Sequence, residues 1–169
     1  MKRPRVRGQL ASCEGVAKKS KKSDGRLRRW DLPRWPYRVP RLLLRRLTND
    51  PQPLKILYVE DNAVVREVTA ELMAQDKREI VACASAEEAL EEFRKGAFDI
   101  VITDVSLPVM SGIDLARSLL GLEPSLPIIL ASGYALDFGL ENWGSNVRAI
   151  IKPFEPPEIE ALISDLMSG

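Results

Sequence analysis

A pair of adjacent acids, Glu60-Asp61, a third acid at Asp104, a hydroxyl at Ser132 and a lysine at Lys152 are the residues of this chain best suited to chemistry. Carboxylates gathered at one point suit a hard cation with oxygen ligands. An ammonium and a hydroxyl beside them suit an anionic oxygen. Each piece alone has an ordinary structural explanation. Glu60-Asp61-Asn62 can cap a helix, Asp104 and Ser132-Gly133 can sit in turns, and Lys152 can be a solvated charge. What makes them a site is their order, because each falls at the end of a different apolar run.

Those runs are Leu54–Val59, Glu79–Cys83, Phe98–Thr103, Pro127–Ala131 and Val147–Ile151. Several are continuously apolar, as in parallel strands covered on both faces. The segments between them read as helical. Val64, Val65, Val68 and Leu72 recur at helix spacing, Ser85 with Glu88 forms a capping box with Gly96 as a stop, and Ile159, Leu162, Ile163 and Leu166 share one face of a closing helix. Alternating strands and helices over some 115 residues predict a doubly wound α/β sandwich of three layers. Ligands in such sheets bind outside the carboxyl ends of the strands. The acids, hydroxyl and lysine are placed there together.

The net charge of +1 conceals two unlike regions. Residues 1–50 carry 16 Lys+Arg against 4 Asp+Glu, and the remainder 9 against 20. Such asymmetry says more than the sum. Residues 1–53 are basic and interrupted by Pro33, Pro36, Pro40, Pro51 and Pro53, so they are expected to form a disordered extension, with one domain over 54–169. No apolar run is long enough to span a bilayer, and the basic start lacks the pattern of a secretory signal. Cys13 and Cys83 suggest no disulfide framework, so a reducing cytoplasm is the expected location. The chain has no histidine, which excludes a Ser-His-Asp arrangement, a histidine metal site and a phosphohistidine of its own.

From Leu54 to Met167 the sequence resembles the receiver domains of response regulators. The most specific stretch is Asp104-Val-Ser-Leu-Pro108-Val-Met110-Ser-Gly112, with Glu60-Asp61 before it and Ala131-Ser132-Gly133 and Lys152-Pro153-Phe154 after it. The resemblance implies a flavodoxin-like five-stranded parallel sheet of order 2-1-3-4-5. It also implies that Asp104 accepts a phosphoryl group from a histidine kinase or a histidine phosphotransfer protein. A carboxylate is a weak nucleophile toward phosphorus, and three crowded carboxylates repel one another; Mg²⁺ relieves both difficulties. By the same resemblance Asp61 and Asp104 hold the ion directly, Glu60 acts through water, and the main-chain carbonyl of Ser106 completes the set. Lys152 and Ser132 hold phosphoryl oxygens, and the Lys152-Pro153 bond is cis. Such a protein catalyses only its own phosphorylation and dephosphorylation.

Two departures accompany the match. Ala149 stands where many members carry an aromatic switch residue, with Tyr134 as a substitute from a neighbouring loop. The helix expected over 135–143 contains Gly139, which predicts a short, mobile element. An unidentified output partner, or a second copy forming a homodimer, is expected to use the face built from the fourth helix, fifth strand and fifth helix. No DNA-binding module is expected after the last helix. Weak, salt-sensitive contact between residues 1–50 and nucleic acid is an alternative. A phosphatase with an aspartate nucleophile is disfavoured, since that family places it after the first strand.

Overall fold

The structure, a computed structural model, describes residues 52–74, 77–135 and 143–168. Its elements are β1 (Leu54–Val59), α1 (Ala63–Met73), β2 (Arg78–Cys83), α2 (Ala86–Lys95), β3 (Ile100–Asp104), α3 (Gly112–Leu122), β4 (Ile128–Ser132), β5 (Val147–Ile151) and α4 (Pro156–Ser168). The strands form one sheet of order β2-β1-β3-β4-β5, with every pairing parallel. This is the predicted topology. The basic extension and the helix expected over 135–143 fall largely outside the described residues. So do Gly139, the nucleic-acid alternative and part of the predicted output face.

Alternation along β1 explains the layers. Ile56 and Tyr58 join a core completed by Met73 of α1 and Ile159, Ile163 and Leu166 of α4. Leu57 and Val59 point to the other face, into a core with Ala89 and Phe93 of α2 and Leu115 and Leu119 of α3. Successive strand residues face opposite sides, so continuous apolarity is what a sheet buried on both faces requires. Each such side chain contributes about 1.5–3 kcal/mol when fully buried.

The caps follow the local chemistry. Ser85 Oγ accepts from Glu88 N at 3.2 Å, while the Glu88 carboxylate accepts from Ala84 N at 2.7 Å. Glu87 and Glu88 in the first turn and Arg94 and Lys95 in the last suit the helix dipole. Gly96 closes α2 through its N–H to Glu92 O. At the amino edge of the sheet, Arg78 reaches both oxygens of Glu160 at 2.6 Å and the Met73 carbonyl at 3.3 Å, joining α1, β2 and α4.

Strand boundaries differ from the predicted ones by one or two residues. β2 begins a residue early at Arg78, and β3 begins at Ile100 rather than Phe98. Asp99 is occupied differently: its N–H donates to Lys55 O, and its buried carboxylate accepts Lys55 N. β4 starts after Pro127, which has no N–H for the ladder. Asp104 and Ser132 are therefore the last residues of their strands rather than the first residues beyond them.

The apolar stripe of α1 does not face the core. Val64, Val65, Val68 and Leu72 are exposed, and the helix buries Thr69 and Met73 instead. Spacing identifies a helical stripe without saying which side of the helix the sheet will cover.

Candidate functional site

The carboxyl edge of the sheet gathers side chains from four strands. β1 ends at Val59, and Glu60 N donates to Cys83 O of β2 at 3.1 Å, which holds the acidic loop to the sheet. Asn62 then caps α1, its side-chain oxygen accepting from Val64 N and Val65 N. In this setting Glu60 is buried and Asp61 exposed. Asp104 lies on the central strand β3, is 8% exposed and faces the same point. One carboxylate oxygen from each of Glu60, Asp61 and Asp104 lies within 4.8 Å of the others. Three hard anionic oxygens that close fit a single divalent cation.

Lys152 follows β5 and is joined to Pro153 by a cis peptide bond. Its Nζ pairs with Glu60 Oε2 at 2.5 Å and with Asp104 Oδ2 at 3.2 Å. The other Asp104 oxygen accepts from Ser106 N at 3.3 Å, and the other Glu60 oxygen accepts from Asn62 N at 3.3 Å. Ser132 is buried; its Oγ accepts from Tyr134 N at 3.3 Å, and its carbonyl accepts from Lys152 N at 2.7 Å. The main chain thus joins Ser132 directly to Lys152. Tyr134 itself is exposed, and Ala149 is half-buried opposite Leu130.

Gly112 has a steric role. A Cβ there would stand 1.9 Å from the Asp104 carbonyl oxygen and 2.9 Å from Thr103 Oγ1. Thr103 Oγ1 donates to that same carbonyl at 2.9 Å, and Gly112 N donates to Val105 O at 3.1 Å. The start of α3 is therefore packed against the backbone of Asp104, at a distance only glycine permits. Between these points the loop carries Val109, fully exposed, with φ of 64°. That conformation is unfavourable for a β-branched residue.

Beside the acids lies a cavity of about 340 Å³, lined by Tyr58, Val65, Leu72, Lys152, Pro153 and Phe154. The Tyr58 hydroxyl is buried beside Thr69. Burial, reinforced by the charges of Glu60 and Asp104, pushes its pKa up to about 12. Burial, together with Glu88 and Glu92, pushes the Cys83 thiol up to about 12.

Glu60, Asp61, Asp104 and Lys152 are thus together, Ser132 is joined to Lys152 through the main chain, and Ser106 adjoins Asp104 through its N–H. Sequence reasoning missed Arg66. Its Nη1 donates to the carbonyls of Glu60 at 2.7 Å and Asp61 at 3.1 Å. One signal was present: a cation in the first turn of a helix opposes the dipole and calls for another reason to be there.

Comparison with known proteins points the same way. Residues 56–164 match the family model of the response regulator receiver domain. The chain is 34% identical over 112 residues to the response regulator protein FleR of Pseudomonas aeruginosa, covering 65% of this chain and 24% of that protein. It is 30% identical to the two-component response regulator PhoP of the same organism, over 68% of this chain and 52% of the relative. It therefore spans about a quarter and about half of these two relatives. Among solved structures it is similar to the response regulator TrrA of Thermotoga maritima in complex with Mg²⁺-BeF, with a TM-score of 0.60 and 29% identity, over 66% of this chain and 97% of that one.

Proposed function

This chain belongs to the response regulator receiver domain family, and from that premise we propose that Asp104 is the residue that accepts the phosphoryl group. The donor is a phosphohistidine of a histidine kinase or phosphotransfer protein, since this chain has no histidine. An Asp104 oxygen attacks phosphorus, the P–N bond to the imidazole breaks, and an acyl phosphate forms. Lys152 leaves its pairing with Glu60 to hold a phosphoryl oxygen, and the Ser132 hydroxyl donates to another. Asp61, Asp104 and the main-chain carbonyl of Ser106 would hold Mg²⁺, with Glu60 acting through water. The ion, when bound, neutralises the crowded carboxylates and the oxygens of the incoming group. The chain's own contribution is positioning and charge. Its only turnover is its own phosphorylation and hydrolysis.

The observation that carries this reading is the close cluster of three carboxylates with the Lys152 ammonium 3.2 Å from Asp104. The stripe on α1 supports a protein donor, because Val64, Val65, Val68 and Leu72 offer apolar surface beside the site. Val109, Tyr134 and Ile151 expose further apolar area at the same carboxyl edge. Among the described residues no helix is long and apolar enough to cross a membrane.

The test is Mg²⁺-dependent labelling by a small phosphodonor such as acetyl phosphate. The native chain is expected to take up label and Asp104→Asn little or none. Equal labelling of the two would refute the assignment.

A further inference from the structure

We propose that Arg66 is a positioning residue for the cation-binding loop, holding the Glu60 and Asp61 carbonyls from behind so that their carboxylates stay turned toward Asp104. The inference rests on the reading of Glu60 and Asp61 as cation-binding acids. One guanidinium nitrogen spans two successive carbonyls, at 2.7 Å and 3.1 Å. The same residue is tied to the loop's other end, since Arg66 N donates to Asn62 O at 2.8 Å and Asn62 caps the helix. Glu60, Asp61 and Asn62 are thus attached to the first turn of α1 at three points. Helix stability does not explain the placement, because the dipole disfavours a cation in this turn. Two backbone carbonyls held by one planar donor group do.

Positioning and simple electrostatics predict opposite signs. Removing a positive charge beside three carboxylates, by itself, strengthens binding of a divalent cation. Releasing the loop weakens it, and loss of a group that orients the ligands typically costs roughly 10–100-fold in affinity.

Titration calorimetry of the full chain with MgCl₂ separates the two. Arg66→Met is expected to bind Mg²⁺ roughly tenfold more weakly than the native chain, with an unchanged melting temperature. Arg66→Lys, able to satisfy one carbonyl, should lie between. Equal or tighter binding by Arg66→Met overturns the proposal. If that variant does not fold, Arg66→Gln takes its place, with weaker binding expected and native affinity overturning the proposal.

A native chain that binds no Mg²⁺ refutes the reading of the acids rather than the role of Arg66. Amide hydrogen exchange without metal then decides. Asp61 and Asn62 should exchange about tenfold faster in whichever variant folds, about 1.4 kcal/mol of lost protection, and unchanged rates overturn the proposal.

Discussion

The Lys152 ammonium is shared between two acids, lying closer to Glu60 (2.5 Å) than to Asp104 (3.2 Å). Lysine and a divalent cation therefore compete for the same carboxylates. Lys152→Met should tighten Mg²⁺ binding by about tenfold, since a like charge competing for the carboxylates is removed. It should also slow labelling by acetyl phosphate by about a hundredfold, the usual cost of losing a donor aimed at developing charge. Calorimetry and radiolabelling measure the two effects. Weaker cation binding in this variant would contradict the competition.

Gly112→Ala should lower stability by about 3 kcal/mol, because the new methyl group meets the backbone of Asp104 rather than a movable side chain. Urea denaturation reads the loss. Cation affinity should fall with it, since any relief displaces Asp104. A variant of native stability would show that the loop yields more easily than its packing suggests.

Val68→Gln and Leu72→Gln alter exposed positions and keep good helix formers, so stability should stay within about 0.5 kcal/mol. Labelling by acetyl phosphate should also persist. Transfer from a phosphohistidine protein should slow by about tenfold if the stripe receives that partner. Rapid-quench transfer assays make the comparison, and an undiminished rate would locate the docking surface elsewhere.

Alkaline stability should follow Tyr58 and Cys83. Both are acids held neutral by the fold, with values raised from 10.0 and 9.0 to about 12. The unfolded chain loses these protons first, so their contribution is complete below about pH 9 and drains away as pH rises toward 12. Tyr58→Phe, which removes the titrating hydroxyl, should show a shallower decline above pH 10. Cys83 should react with iodoacetamide at pH 8 only after unfolding.

How much of this was legible in the sequence depends on whether a local pattern determined the outcome. Continuous apolar runs led to the parallel sheet, and Ser85 with Glu88 marked the start of α2. The site was legible because its residues follow consecutive strands, and strand order brings them to one edge. The direction of α1's stripe was not legible. Its register on the sheet is set by Met73 and Thr69, which carry no stronger signal than the valines. The exact start of β3 depended on Asp99 meeting Lys55, 44 residues away. The role of Arg66 depended on carbonyl directions that only the folded loop defines.

Ser132, the last residue of β4, and Lys152, just past the edge strand β5, share a main-chain hydrogen bond. A pull on either one is felt by the other without any aromatic lever at Ala149. Recruitment of both by one phosphoryl group would drag β5 as a whole, so news of the modification would leave the site through the sheet's margin.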